Sequence, residues 1–179
     1  MGPYETVEPI RTPRLDLVPI SAAFARALLA GHRDRASVII NAAVSQSLAN
    51  DPAHVVQLAL AQAGPHMPDG GSRVVVLLEP PSRRRAIGSV GFHGPPDDRG
   101  RLEVGCRILS AYRGRGYTGE AMAAMFEWAG TRLGITRFLV AVSSPDASAP
   151  RLMTELELRG GSGWGDRIAE LEGSLEPLA

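Results

Sequence analysis

A short run of glycines and arginines past the middle of the chain has the composition of a phosphate-binding loop. The run reads Arg113-Gly114-Arg115-Gly116-Tyr117-Thr118-Gly119. Glycine lets the backbone turn sharply and approach a ligand closely, and the N–H groups at the start of a following helix attract anions. The arginines add positive charge and forked donors that suit phosphate oxygens. The same residues could also form a tight turn whose arginines are simply solvated.

Two known phosphate motifs can be compared with this loop. Gly114, Gly116 and Gly119 match the G-x-G-x-x-G spacing of dinucleotide-binding folds. That motif follows its strand directly and has an acidic residue about 20 positions later. Here residues 109–112 intervene and residues 136–142 contain no acid. A nucleotide-triphosphate P-loop is excluded because it needs a lysine, and the chain contains none.

The elements on either side of the loop are predicted to be a strand and a helix. Residues 102–109 have the β-branched and apolar content of a strand, whereas apolar residues from Ala121 to Ala129 recur at helical spacing. A buried strand over residues 136–142 follows the helix. Because the three elements are consecutive, we predict one right-handed crossover that joins two parallel strands.

The earlier part of the chain predicts the rest of a sheet. Residues 12–19 alternate as a half-buried strand does, and Ser21 can cap a helix over residues 22–30. Residues 73–78 are apolar on both faces, as a central strand is, and residues 86–93 form the next strand of an antiparallel meander. A second helix is predicted from Asp51 to Gly64. Between these helices, residues 38–40 suit either a strand or a helix.

Strand, loop and helix together resemble the central motif of the GNAT acyltransferase superfamily. Its pattern Arg/Gln-x-x-Gly-x-Gly/Ala is filled by Arg113, Gly116 and Thr118, where threonine departs from the last position. Glu-Val-Gly-Cys-Arg-Ile-Leu before the loop and Gly-Glu-Ala after it also match. Thr-Pro-Arg-Leu at residues 12–15 and Gly-Phe-His-Gly-Pro-Pro at residues 91–96 resemble the branch that contains ribosomal-protein N-terminal acetyltransferases.

This resemblance implies an α/β (α+β) GNAT fold in a single domain over residues 1–179. The expected architecture is a mixed, mostly antiparallel twisted sheet of six to seven strands flanked by about four helices. The part from about residue 150 is atypical. By resemblance we also expect a helix over residues 151–158, and residues 168–172 suit a last strand.

The resemblance also implies acetyl-CoA as cosubstrate and transfer of its acetyl group to a primary amine. The backbone of Arg107, Ile108 and Leu109 is expected to pair with the pantetheine arm and to polarise the thioester carbonyl. The pyrophosphate is expected at the loop residues Arg113, Gly114, Arg115, Gly116, Tyr117, Thr118 and Gly119.

Glu103 and His93 are the candidate catalytic residues. Glu103 occupies the column in which histone-acetyltransferase relatives place a general-base glutamate. His93 could lie beside it across the hairpin, as a base or as an acceptor ligand. Each has a structural alternative, namely an ion pair of Glu103 with a neighbouring arginine and an ordinary hydrogen bond of His93. The other histidines have no metal-ligand spacing, so we predict no metal.

Several departures from the family pattern leave other functions open. Ala147 and Pro150 replace an asparagine and a serine, and the usual Gly-Phe is absent. Many members carry a tyrosine acid in the last helix, where Thr154 is the nearest residue here. A non-catalytic acyl-CoA-binding or regulatory module is therefore the main alternative. A structural partner protein whose loop binds no nucleotide is the third.

Composition narrows the class of partner but not its identity. Nineteen basic and nineteen acidic residues cancel, so no overall charge attracts nucleic acid or a membrane. The single cysteine, Cys106, fits a reducing compartment, and no apolar run approaches membrane-spanning length. We expect a cytoplasmic protein with a small-molecule or peptide amine acceptor, such as a protein N-terminus, amino acid, polyamine or aminoglycoside. A homodimer is compatible with the resemblance.

Overall fold

The computed structural model describes residues 7–51, 71–80 and 82–140 in full, and the backbone of residues 141–142 and 152–157. The strands are β1 (Ile10–Arg11), β2 (Leu15–Pro19), β3 (Ser72–Glu79), β4 (Arg83–Phe92), β5 (Arg101–Ile108), β6 (Arg137–Val142) and β7 (Leu152–Glu157). The helices are α1 (Ala22–Leu29), α2 (Arg33–Ile40), α3 (Gln46–Ala49) and α4 (Tyr117–Leu133), with a short 3₁₀ helix at Ser110–Tyr112.

The seven strands form one sheet in the order of the sequence. Neighbouring strands are antiparallel except β5 and β6, which run parallel and are joined by α4. The predicted mixed, mostly antiparallel sheet, its three-strand meander and its single crossover are therefore confirmed. β1, with only two residues, was not predicted from the sequence.

Helices cover both faces of the sheet. On one face α4 packs its apolar stripe, including Met122, Met125 and Phe126, against the inward residues of the strands. The rings of Phe126 and Phe138 have centroids 4.3 Å apart, which ties α4 to β6. On the other face α1, α2 and α3 pack over Val74 and Val76 of β3. Because β3 is buried on both faces, the prediction of an interior strand is confirmed.

The first helix follows its sequence signals closely. The Ser21 hydroxyl accepts a hydrogen bond from the N–H of Phe24 at 3.1 Å, so it caps α1 as predicted. Residues 38–40, for which strand and helix were both open, belong to α2. That helix ends at Asn41, which has a left-handed backbone.

The helix predicted over residues 151–158 is wrong, because Leu152–Glu157 is strand β7. β7 pairs antiparallel with β6 along its whole length, from Leu152 opposite Val142 to Glu157 opposite Arg137. In Glu155-Leu156-Glu157 a polar residue stands on each side of an apolar one, which is the alternation of a strand. The helix predicted after Asp51 and the strand predicted over residues 168–172 lie outside the described residues.

Candidate functional site

The ladder between the parallel strands β5 and β6 is short. It runs from Arg101 opposite Arg137 to Val104 opposite Val140, and it ends there in the described part of the chain. β5 continues to Ile108 alongside β4, and β6 continues alongside β7. The second half of β5, after Val104, is therefore not hydrogen-bonded to β6, and its edge on the β6 side is open in the described part of the chain.

Backbone N–H and C=O groups along β5 point alternately toward β4 and toward β6, and the register decides which residues point toward β6. Leu109 N–H donates to Ile87 O at 2.8 Å, and His93 N–H donates to Glu103 O at 2.9 Å. Since antiparallel strands exchange hydrogen bonds at every second residue, Glu103, Arg107 and Leu109 direct their backbone groups to β4. Ile108 directs its N–H to the side of β6. Of the three backbone positions predicted to contact a pantetheine arm, Ile108 has the suitable orientation.

The glycine loop connects the end of β5 to α4. Gly114 and Gly116 have φ angles of 69° and 76°, a left-handed conformation that favours glycine. Gly116 is the residue before the first turn of α4, and no side chain caps that turn. The N–H groups of the first turn lack partners within the helix. The loop therefore offers N–H donors at the positive end of a seventeen-residue helix.

The two loop arginines are exposed and differ in their contacts. The Arg113 Nε–H donates to Ile108 O at 2.9 Å, which links the loop to the end of β5. Arg115 has an exposed side chain that forms no ion pair with the other described residues. Thr118 and Gly119 lie in the first turn of α4, and Gly119 is buried. The predicted loop residues are thus brought together at one helix N-terminus.

Two polar residues from the first strand region contact the same loop, which the sequence analysis did not anticipate. The Arg14 guanidinium donates to Glu120 Oε2 at 2.6 Å and to Arg115 O at 2.9 Å. The Thr12 hydroxyl donates to Glu120 Oε1 at 2.5 Å. Thr-Pro-Arg-Leu and Gly-Glu-Ala were visible as motifs, but nothing in the sequence indicated that they touch.

Glu103 and His93 lie side by side, as the hairpin register predicted. His93 Nδ1 is 3.0 Å from Glu103 Oε1, and their side chains are 14% and 31% exposed. Both point away from α4, to the face covered by α1, α2 and α3. Glu103 is one residue before Val104, where the ladder with β6 ends.

A second polar cluster lies further along the same face. The Arg107 Nε–H donates to Asp51 Oδ2 at 2.9 Å. Ser89, the cross-strand neighbour of Arg107, is 1% exposed, and its hydroxyl has no hydrogen-bond partner among the described residues. A Cβ on Gly88 would lie 2.1 Å from Arg107 O, so β4 and β5 approach closely at a position that only glycine allows. The ion pair considered for Glu103 with Arg107 is not formed, because Arg107 pairs with Asp51.

Thr154, the residue nearest to the position expected for a general acid, lies on a strand instead of the predicted helix. Thr154 lies on β7 opposite Val140, not on a helix. Comparison with a family tyrosine on a helix therefore no longer applies to Thr154. Ala147 and Pro150 lie outside the described residues.

The chain matches the sequence profile of the Acetyltransferase (GNAT) domain over residues 14–159. It therefore belongs to the GNAT acetyltransferase family, as the loop motif and its flanking words had suggested. This membership supports a transferase that moves an acetyl group. The mixed sheet with helices on both faces agrees with that assignment.

The individual proteins to which the chain is similar share only a modest fraction of its sequence. YjdG of Bacillus subtilis strain 168, an uncharacterized N-acetyltransferase, is 27% identical over 70 residues, which cover 39% of this chain and 42% of YjdG. An acetyltransferase of Agrobacterium tumefaciens strain C58 is 24% identical with a TM-score of 0.48, covering 83% of this chain and 81% of its own. The ribosomal-protein acetyltransferase RimL, in a complex with coenzyme A, is 15% identical with a TM-score of 0.46, covering 78% and 77%. The family assignment rests on the profile match.

Two absences concern the described residues alone. Among them, no group of three or more His, Cys, Asp and Glu side chains is arranged to hold a metal ion. No helix in that part of the chain is both long and apolar enough to cross a membrane.

Proposed function

We propose that this protein is an N-acetyltransferase that uses acetyl-CoA to acetylate a primary amine, within a single domain. One observation carries the proposal. The ladder between β5 and β6 ends at Val104, and β5 then leads directly into a glycine loop at the N-terminus of α4. The extended pantetheine arm of acetyl-CoA can lie along the second half of β5 while the phosphates of the cosubstrate reach the loop.

The described residues fit such a cosubstrate in chemistry and in position. The N–H groups of Gly116, Tyr117 and Thr118 lie at the helix N-terminus, where anions are favoured. Arg113 and Arg115 are exposed beside them and supply positive charge. Ile108 presents its N–H to the open edge of β5 and is proposed to pair with the arm, while Arg107 and Leu109 hold β5 against β4.

When bound, acetyl-CoA supplies an acetyl group activated as a thioester. The neutral amine would form a C–N bond to the acetyl carbon as the C–S bond breaks, so a base must take the proton that the nitrogen loses, and coenzyme A leaves as a thiolate that takes up a proton. Glu103 is the proposed base, directly or through a water, and its carboxylate lies beside the end of the β5–β6 ladder. His93 holds Glu103 through the 3.0 Å contact and is placed to pass the proton onward.

The alternative is a GNAT-like module that binds an acyl-CoA without transferring the acyl group. The observation that favours it is that Leu152–Glu157 is strand β7, whereas the family resemblance led us to expect a helix that carries an acid in this stretch. Binding would then resemble that of the enzyme, and only turnover would differ.

A transfer assay distinguishes these two functions. Acetyl-CoA is supplied together with peptides, free amino acids, polyamines and aminoglycosides, and acetylated products are detected by mass spectrometry. We expect one acceptor class to be acetylated by the wild type and none by Gly116→Glu, which introduces backbone strain and a negative charge at the left-handed residue before α4. Gly100→Glu is the matched control, because Gly100 is also left-handed but lies in the turn between β4 and β5. Binding of acetyl-CoA without product from any class would favour the non-catalytic module.

A further inference from the structure

We propose that Thr12, Arg14 and Glu120 form a clamp that sets the glycine loop in its phosphate-binding conformation. This inference rests on the proposed function, because it concerns the same loop. Thr12 and Arg14 precede β2, whereas Glu120 lies in the first turn of α4. Contact between segments more than a hundred residues apart in sequence suggests that the first segment has a role in the site.

Glu120 is the centre of the clamp and accepts three hydrogen bonds. Its Oε1 accepts from the Thr12 hydroxyl at 2.5 Å and from the Arg14 backbone N–H at 2.9 Å. Its Oε2 accepts from Arg14 Nε at 2.6 Å, and the Glu120 side chain is only 14% exposed. Charge-assisted bonds of this kind are among the stronger hydrogen bonds in proteins. They hold the first turn of α4 at a fixed place.

The contact with Arg115 acts on the loop itself. Arg14 Nη1–H donates to Arg115 O at 2.9 Å. In a trans peptide the C=O and the following N–H point in opposite directions. Once the Arg115 carbonyl is turned toward Arg14, the Gly116 N–H must point away from it, to the far side of the loop. That N–H is among the donors proposed to bind phosphate.

The Arg14 guanidinium also lies against the start of α4. It lies 4.7 Å from the ring centroid of Tyr117, within the range of a cation–π contact. Its Nη2 would be 3.5 Å from a Cβ at Gly116. Arg14 thus contacts Arg115, Tyr117 and Glu120, and its flat fork reaches separate partners in a way that a lysine cannot.

The clamp is itself anchored to the sheet. The Leu78 N–H donates to Arg14 O at 3.0 Å, which attaches Arg14 to β3. The Thr12 hydroxyl also accepts from the Leu15 N–H at 2.9 Å in the tight turn before β2. The loop is therefore positioned relative to the strands that carry the rest of the site.

Two variants of Arg14 distinguish positioning of the glycine loop from stabilisation of the whole fold. Arg14→Lys keeps a positive charge beside Glu120 but cannot reach both Glu120 and the Arg115 carbonyl. Arg14→Gln removes the charge as well. Arg11→Gln is the control, because Arg11 is an exposed arginine on β1 whose nearest carboxylate is Asp16 at 3.8 Å. Affinity for coenzyme A is measured by calorimetry at a temperature at which every variant is folded.

We expect Arg14→Gln to weaken coenzyme A binding by about tenfold, in keeping with the loss of a charge-assisted hydrogen bond. Arg14→Lys should weaken it by roughly three- to tenfold while its unfolding midpoint stays close to that of the wild type. Arg11→Gln should leave the affinity unchanged. If Arg14→Gln and Arg14→Lys lower the unfolding midpoint but bind coenzyme A as the wild type does, the clamp only stabilises the fold and the inference is wrong.

Amide hydrogen exchange in the protein without ligand gives a second readout. Exchange at residues 113–119 should speed up in both Arg14 variants and not in Arg11→Gln. This keeps the two proposals apart. A wild type that does not bind coenzyme A would contradict the proposed function, whereas unaltered loop exchange in the Arg14 variants would contradict the clamp alone.

Discussion

His93 Nδ1 lies 3.0 Å from Glu103 Oε1, one residue before the ladder between β5 and β6 ends at Val104. The two side chains belong to a pair of directly opposed residues, since the His93 N–H also donates to Glu103 O. Strand register thus fixes the proposed base, Glu103, and its proposed partner, His93, beside the place where the proposed acetyl donor would lie.

Replacing Glu103 by glutamine tests its proposed role as the base. We expect the turnover number for the true acceptor to fall by roughly a hundredfold or more, which is typical for loss of a general base. Affinity for acetyl-CoA should be unchanged, because Glu103 is not a loop residue. Glu127→Gln, at an exposed position on α4, is the control. An unaltered rate across pH in Glu103→Gln would rule out Glu103 as the base.

His93 is expected to act through Glu103, so their effects should not add. His93→Gln keeps a hydrogen-bonding side chain but cannot carry a proton, and it should lower turnover less than Glu103→Gln does. The double variant should then resemble Glu103→Gln alone, since groups that act as a unit are non-additive. Steady-state rates of the wild type, the two single variants and the double variant give the coupling free energy between the two residues. Independent, multiplying effects would show that His93 has a separate role.

The carboxylate of Glu120 makes folding stability depend on pH. Burial raises the pKa of Glu120, but the hydrogen bonds from Thr12 and Arg14 and the charge of Arg14 outweigh it and lower the pKa overall. A carboxyl whose pKa is lower in the folded state stabilises the fold at pH above its unfolded value. That stabilisation is lost as the pH falls through the folded value.

Glu120→Gln should therefore be less stable than the wild type at neutral pH, and the difference should shrink on acidification. Urea unfolding at a series of pH values measures it. Glu127→Gln, on an exposed part of the same helix, should show no such pH-dependent difference. A constant difference between Glu120→Gln and the wild type down to strongly acidic pH would contradict the stabilising role of the charge.

Arg73 is an unusual residue of the core. Its side chain is fully buried, and Nε and Nη2 have no hydrogen-bond partner in the part of the chain that the structure describes. Nη1 donates to Glu8 O and Leu17 O at 3.0 Å, and the guanidinium lies 5.2 Å from the ring of Trp128. Burial lowers the pKa of Arg73 to about 10. The charge is therefore held at a cost in desolvation, without an anionic partner among the described residues.

Arg73→Met should be within about 1 kcal/mol of the wild type at neutral pH, or more stable, because an apolar side chain avoids this desolvation. Because burial lowers the pKa of Arg73, the folded wild type binds this proton less tightly than the unfolded chain does, so any pH dependence in the alkaline range should raise wild-type stability relative to the variant. Denaturant unfolding at neutral and alkaline pH checks both. A loss well beyond 2 kcal/mol would show that the two Nη1 hydrogen bonds outweigh the desolvation, on the scale of about 1 kcal/mol or more each.

The sheet was largely predictable because its signals are local. Alternation in β2, the apolar run of residues 74–78 in β3 and the sequence Glu-Val-Gly-Cys-Arg-Ile-Leu at β5 each depend on a few neighbouring residues. The same local logic placed Glu103 opposite His93 across the hairpin. β7 was missed because resemblance to relatives was given more weight than the alternation of Glu155, Leu156 and Glu157.

What could not be predicted depends on contacts between distant segments. Nothing near Thr12 or Arg14 in the sequence indicates Glu120, and nothing near Asp51 indicates Arg107. Such pairs form only when the fold brings the segments together. The orientation of Ile108 away from β4 likewise follows from the register and not from the side chain.

Thermal unfolding with and without saturating acetyl-CoA tests the central claim, that the glycine loop holds the cosubstrate. A ligand at a hundred times its dissociation constant stabilises by about 2.7 kcal/mol, so the wild-type midpoint should rise by roughly 5–10 °C for a chain of this size. Gly100→Glu should keep this rise, and Gly116→Glu should lose it. An equal rise in wild type and Gly116→Glu, or no rise in the wild type, would contradict the claim.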